Sequence, residues 1–186
     1  MMNHSFQRLA LTATVSAVLL GALSACAPLV VGGLATGVIV ATDRRTSGSQ
    51  LEDEGIELRA ANRLRDVLGE RGHVNVTSYN RQVLLTGEVP TEADKALIER
   101  AVGQVENVRL VLNEVAVMGN TTFTQRSNGT LVTGRVKAAV VDARDLTVNS
   151  FKFVTERGTV FIMGRVTQRE ANRVTDMVRS VQGVGR

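Results

Sequence analysis

The side chains that could do chemistry in this sequence are few, and their spacing limits what that chemistry can be. The 186 residues contain one cysteine, Cys26, and two histidines, of which only His73 lies away from the N-terminus. One cysteine cannot form an internal disulfide or a Cys-cluster zinc site, and one internal histidine supplies too little for a metal site or a Ser-His-Asp triad. The acidic run at residues 52–54 begins a predicted helix, where the helix dipole favours negative charge. The sequence therefore predicts no catalytic residue and no metal site.

The one reactive side chain that stands in an informative place is Cys26, at the end of a secretory signal. A short polar start at residues 1–8 precedes an uncharged apolar run of 15 residues, shorter than the roughly 20 that cross a bilayer. The string Leu23-Ser24-Ala25-Cys26 resembles the lipobox of bacterial lipoproteins. The resemblance implies that residues 1–25 are removed and that Cys26 carries diacylglycerol and an N-acyl chain such as palmitate, with no other cofactor. The alternative is a plain signal peptide with an accidental cysteine.

The rest of the chain contains one small unit twice. The strings VLLTGEV at 83–89 and VFIMGRV at 160–166 are alike, and their glycines, Gly87 and Gly164, are 77 residues apart. Each string is a hydrophobic, strand-like run followed by a helical stretch. The pattern predicts helix, strand, strand, helix, strand, with a parallel right-handed crossover between the last two strands. Both glycines are expected in strands at positions where a β-carbon is poorly tolerated.

Apolar periodicity predicts which side of each element faces a core. The first helix of the first unit presents an inward stripe of Ile56, Ala60, Leu64 and Leu68. Its second helix is predicted to turn Ala93, Leu97, Ala101 and Val105 inward, and its third strand is predicted over 108–118. In the second unit the first helix, predicted over 131–143, has the stripe Val132, Val136, Val140 and Ala143, and Phe151 and Phe153 are expected in a strand facing the core.

Five segments follow from this organisation. We predict a signal peptide at 1–25, acylated Cys26 with a linker through residue 50, a first unit at 51–119, a linker at 120–127 and a second unit at 128–186. The second unit reaches only Val184-Gly185-Arg186, so its third strand is expected to be missing from this sequence. Two strands alone would make a marginal sheet.

The repeated unit resembles the BON domain of bacterial envelope proteins. The resemblance rests on the αββαβ pattern, on the glycine inside the second strand and on Glu92-Ala93 and Glu170-Ala171 at the start of the second helix. Its most specific strings are ATDRR at 41–45, NVTSY at 75–79, VLLTG at 83–87 and VFIMGRVT at 160–167. With the lipobox, the chain looks like a dual BON-domain outer-membrane lipoprotein.

The resemblance implies an α+β fold of two tandem αββαβ domains, the second without its last strand here. It also implies a non-enzymatic lipoprotein that is anchored in the outer membrane and faces the periplasm. Ala27 after the cysteine resembles the outer-membrane default, since an Asp there favours the inner membrane in enterobacteria. Such a protein supports envelope integrity, can gather at division sites and contacts anionic phospholipid through the first helix of its second domain.

Charge distribution supports an anionic partner for the second unit. Residues 51–118 carry 8 Lys and Arg against 12 Asp and Glu, net −4, whereas residues 127–186 carry 10 against 5, net +5. The candidate phospholipid-binding residues are Leu131, Arg135, Val136 and Lys137. Secretion and scarce aromatic residues argue against nucleic acid as the partner. The alternative function is a periplasmic scaffold that docks on outer-membrane assembly proteins or on a cell-wall machine.

Overall fold

The computed structural model describes residues 43–119 and 122–186. The predicted signal peptide, Cys26 and most of the first linker lie outside the described residues. Within the described ranges no helix combines the length and the apolar character that crossing a bilayer requires. The fold is α+β with two tandem domains, as the sequence predicts.

The first domain is a four-stranded sheet with two helices. Its elements are α1 (Ser47–Leu68), β1 (His73–Tyr79), β2 (Gln82–Val89), α2 (Glu92–Gly103), β3 (Leu110–Asn113) and β4 (Ala116–Val117). Helix α1 begins inside the segment predicted as a linker, because the Thr46 hydroxyl caps it by accepting a hydrogen bond from the Ser49 amide. The predicted stripe from Ile56 to Leu68 is buried in the core, which confirms it.

Strand β2 is the centre of this sheet. It pairs antiparallel with β1 and parallel with both β3 and β4, so the predicted parallel crossover is confirmed. The predicted single third strand is wrong in one respect, since it is divided after Asn113. The Asn113 side chain donates to the Lys95 carbonyl and accepts from the Val115 amide, while the Glu114 amide still donates to the Leu85 carbonyl of β2. Val115 then enters the core.

The inward stripe predicted for α2 is confirmed at Ala101, which is buried, and at Val105, which packs against the core, but it is wrong in the first turn. Ala93 is exposed, and the buried residues are Asp94, Ile98, Ala101 and Val102. Asp94 faces inward because its carboxylate accepts hydrogen bonds from the Thr91 hydroxyl and the Arg71 guanidinium. These polar contacts set the rotation of the helix, and apolar periodicity does not report them.

The second domain repeats the plan with a smaller sheet. Its elements are α3 (Phe123–Asp142), a short 3₁₀ turn (Val148–Ser150), β5 (Phe151–Glu156), β6 (Thr159–Gly164) and α4 (Gln168–Arg179). Helix α3 begins at Phe123, inside the segment predicted as a linker over 120–127. Phe151 and Phe153 are buried in the core with ring centroids 5.8 Å apart, which confirms their predicted place.

The last described residues of the second domain correspond in position to the residues just before β3 in the first domain. The Arg186 amide donates to the Gly158 carbonyl, as the Arg109 amide donates to the Arg81 carbonyl 77 residues earlier. The Val160 amide in turn donates to the Arg186 carbonyl at 2.8 Å. Within the described residues the sheet of the second domain contains β5 and β6.

Candidate membrane-contact surface

Helix α3 has apolar side chains on two opposite sides. One side packs into the core through Val132, Val136 and Val140. On the other side Leu131 is 59% exposed and Val141 is 62% exposed. Gly134 and Ala138 lie between them at helical spacing and are also exposed. We call the row of Leu131, Gly134, Ala138 and Val141 the outer row of α3.

Two cations flank the outer row. Arg135 lies on one flank and Lys137 on the other, and both are exposed. Neither is in a salt bridge with another residue of the described ranges. An apolar row with a cation at each flank can lie in a headgroup layer, with its apolar side chains lowered and its cations at the level of phosphate.

Val136 does not belong to this surface. It is fully buried in the core of the second domain, so its prediction as a lipid contact is wrong. The 3.6-residue period puts position 136 on the core stripe with 132 and 140, and the neighbouring positions 135 and 137 are directed outward. Val141, which the sequence reasoning missed, is the exposed counterpart. Its position ten residues after Leu131, close to three helical turns, is the signal that could have found it.

Short contacts hold α3 against the sheet. The hydroxyls of Thr133 and Thr155 are 2.7 Å apart. A β-carbon at Gly129 would lie 2.9 Å from the Thr155 carbonyl oxygen, so the helix and β5 approach closely there. The Arg135 guanidinium donates to the Gln182 carbonyl at 3.4 Å. The outer row is therefore presented on a helix that is fixed to its domain.

The outer row ends beside a groove. Lys137 and Val141 line a cavity of about 410 Å³ together with Asp43 and Gln50, which lie at the start of the described chain, and with Val148, Asn149 and Phe151. The described part of the chain therefore begins next to the flank of α3 that carries Lys137.

Polar contacts join the two domains, and sequence reasoning found none of them. Residues 43–186 fall in one compact unit. The Lys152 ammonium lies 2.6 Å from the Glu57 carboxylate and donates to the Ser78 carbonyl. Arg157 lies 2.9 Å from Glu88, a fully buried carboxylate. The side of β2 that faces away from the core is therefore covered by the second domain.

The remaining candidate groups, His73 and the acidic run at 52–54, make contacts within the first domain. In the described ranges no cluster of His, Cys, Asp and Glu could hold a metal ion. His73 is the first residue of β1, and its Nδ1 lies 3.8 Å from a Glu88 oxygen. The acidic run at 52–54 is predicted to begin a helix, but α1 begins at Ser47, so the run lies beyond the first turn, and its Asp53 is buried. Burial raises its pKa, but hydrogen bonds from the Arg81 amide, the Ser78 hydroxyl and the Asn80 amide outweigh that effect and lower it.

Comparisons with known proteins agree with this architecture. The BON domain family model matches residues 53–119 and 128–186. The chain is 38% identical over 174 residues to the outer membrane lipoprotein DolP of Haemophilus influenzae, covering 90% of each chain. It is 30% identical over 146 residues to the 21 kDa hemolysin of Actinobacillus pleuropneumoniae, covering 77% of this chain and 75% of that protein.

The chain therefore belongs to the BON domain family, whose members are binding proteins rather than catalysts. Its similarity to DolP over nine-tenths of both chains makes it a lipid-anchored lipoprotein of the outer membrane with a part in envelope integrity. The structure adds two tandem BON domains and an exposed apolar row on the first helix of the second.

Proposed function

We propose that the protein is a non-enzymatic lipoprotein, acylated at Cys26 and facing the periplasm, that binds anionic phospholipid through the outer row of α3. One observation carries the proposal. Leu131 and Val141 remain more than half exposed on a helix whose opposite side is packed into a core, and Arg135 and Lys137 flank them. The net charge of +5 over residues 127–186, against −4 over residues 51–118, favours the second domain as the one that meets an anionic surface.

The expected binding energies correspond to a weak contact, which becomes effective because the acyl anchor keeps the protein at the membrane. Burying a Leu or Val side chain is worth about 1.5–3 kcal/mol, and each cation near an anionic surface adds about 1 kcal/mol. The acyl chains contribute about 0.8 kcal/mol for each buried CH₂ and hold the protein at the surface. The α3 contact then forms at a high effective concentration of lipid. In the cell it would draw the protein to membrane regions rich in anionic phospholipid, division sites included.

A second candidate function is that of a scaffold for outer-membrane assembly proteins or a cell-wall machine. The observation that favours it is the free edge of the first sheet. Strand β3 is an edge strand, and its Leu110 and Leu112 are 46% and 41% exposed. An edge strand with apolar side chains can pair with a strand of a partner protein.

Vesicle co-sedimentation separates the two functions. The unacylated chain from residue 26 onward, carrying Cys26→Ser, is mixed with vesicles with and without phosphatidylglycerol. The pair Arg135→Glu and Lys137→Glu reverses two charges, which changes the binding free energy by about 4 kcal/mol at low salt, near a thousandfold. Leu131→Glu should weaken binding with less dependence on salt, because it removes apolar insertion rather than screened attraction.

The matched control is Arg100→Glu with Arg109→Glu, two exposed cations of the first domain. It should change binding little. Equal losses from both pairs would mean diffuse attraction and a wrong site. Absence of binding by the wild-type chain would favour the scaffold.

Acylation has its own measurement. Labelled acyl chains should appear on the wild-type protein and be absent from the Cys26→Ser variant, because the thioether requires sulfur. Equal labelling of both proteins would contradict the assignment.

A further inference from the structure

Arg44 connects the start of the described chain to the second domain. Its Nη1 and Nη2 lie 2.8 and 2.6 Å from the two oxygens of Glu170, 126 residues later. Glu170 is itself fixed, because its carboxylate also accepts from the Thr167 amide and hydroxyl in a capping box at the start of α4. A two-pronged contact between a guanidinium and a carboxylate specifies geometry as well as charge.

Arg45, the next residue, is tied to the first domain. Its guanidinium lies 2.9 Å from a carboxylate oxygen of Asp53 and also bonds Asp43. Asp53 is buried and accepts hydrogen bonds from the Ser78 hydroxyl and from two amides of the turn between β1 and β2. Arg45 is therefore held on α1 by a carboxylate that the turn between β1 and β2 fixes in place.

Tyr79 connects these two attachments. The Arg45 guanidinium stacks 4.2 Å above the centre of its ring. The Tyr79 hydroxyl donates to the Ser150 carbonyl and accepts from the Arg165 amide, both in the second domain. Arg44 and Arg45, which are consecutive in the chain, thus together contact both domains at one place.

This place lies beside the outer row. Asp43 lines the groove that Lys137 and Val141 also line. Cys26 precedes Asp43 by 17 residues, so an extended tether could span about 60 Å. If the two domains rotated freely about the end of such a tether, α3 could face either the anchoring membrane or another membrane. A fixed entry point beside α3 makes the tether leave the body on the side of the outer row, so the shortest path to the anchor has that side facing the anchoring membrane.

We propose that Asp43, Arg44 and Arg45 form a fixed joint between the acylated tether and the body, which turns the outer row of α3 toward the membrane that holds the anchor. The joint rests on the proposed function only in naming α3 as the lipid-facing surface. Arg44 and Glu170 are its decisive pair, because they connect the tether to the domain that carries α3.

The test measures the orientation of the acylated, full-length protein in phosphatidylcholine vesicles, where anionic attraction is absent. A fluorophore is placed by Ala138→Cys in the outer row or by Ala96→Cys on exposed α2, and quenchers in the bilayer report depth. We expect the label at position 138 to be quenched at least threefold more than the label at position 96. Arg44→Ala and Glu170→Gln should bring that ratio close to one.

Two controls separate the joint from general damage. Glu170→Gln keeps an acceptor for the capping box, whereas Thr167→Ala weakens the cap and leaves the Arg44 contact, so it should preserve the ratio. Arg59→Ala, which breaks an exposed ion pair with Glu52 within the first domain, should preserve it too. A ratio near one in the wild-type protein, or a ratio unchanged by Arg44→Ala, would overturn the joint.

Failure of the joint can be told apart from failure of the proposed function. Arg44→Ala should leave the affinity of the unacylated chain for phosphatidylglycerol vesicles unchanged within twofold, since the outer row is intact. If the unacylated wild-type chain does not bind while the labels behave as expected, lipid binding is wrong and the joint stands. If it binds and Arg44→Ala leaves the quenching ratio unaltered, the joint is wrong and lipid binding stands.

Discussion

Gly87 is the position in the first domain where the smallest substitution should cost most. It lies in β2 opposite Val74, with φ of 115°, a backbone conformation that L side chains rarely adopt. A β-carbon added there would lie 2.0 Å from the His73 carbonyl oxygen. Since that oxygen belongs to the backbone of β1, the clash cannot be relieved by rotating a side chain.

The expected loss for Gly87→Ala follows from these two terms. A residue held at an unfavourable positive φ costs about 1–3 kcal/mol. Moving β1 away from β2 weakens one or two ladder hydrogen bonds, each worth about 0.5–1.5 kcal/mol. The free energy of unfolding should therefore fall by about 3 kcal/mol, a large share of the roughly 5–15 kcal/mol typical of a domain.

Urea unfolding followed by circular dichroism measures this loss, and hydrogen exchange of the β1 and β2 amides localises it. Gly164→Ala is the internal comparison. Its φ is not in the positive range and its β-carbon would lie 2.9 Å from the Ser150 carbonyl oxygen, so a smaller loss is expected. Gly134→Ala, with open space around it, should stabilise α3 by about 0.5–1 kcal/mol. A loss below about 1 kcal/mol for Gly87→Ala would refute the reasoning.

Two further predictions concern charged contacts. Arg157→Met should lower the free energy of unfolding by about 2 kcal/mol, because it leaves the buried Glu88 carboxylate without this partner. The loss is smaller than for a fully buried pair because Arg157 is partly exposed, and adding Glu88→Gln should recover part of it. An unchanged urea midpoint would contradict this prediction. The Arg44 guanidinium and the Thr167 amide hold the pKa of Glu170 at about 2. Because that pKa is below its unfolded value, the stabilisation is present above pH about 4.5 and is lost as pH falls toward 2. Carboxyl NMR titration checks it, and Arg44→Ala should raise the midpoint toward the ordinary range; a wild-type midpoint above 4 would contradict the assignment.

Local patterns in the sequence were sufficient for much of the fold. The recurrence of a glycine in a hydrophobic run at Gly87 and Gly164 showed the repeat, and four-residue spacing predicted the buried stripe of α1. The same spacing placed Leu131 off the core stripe of α3, where the structure finds it exposed. These features succeed because helix and strand periods are set by near neighbours along the chain.

Other features depend on residues that only packing brings together. Leu84 is buried although it points away from the core of its own domain, because the second domain covers that side of β2. Asp94 rotates α2 by pairing with Arg71. No local period encodes such pairs.

The sequence alone determined the repeat, the order of elements and the candidate helix, since each depends on local residue patterns and on their recurrence along the chain. It showed Arg44 and Arg45 only as part of a string typical of a family. Their roles emerged when the tertiary structure placed Glu170 and Asp53 against them, one in each domain. The sequence states which side chains are charged, but which charges pair depends on their distance in space. Residues 126 positions apart come within that distance only when both domains have packed.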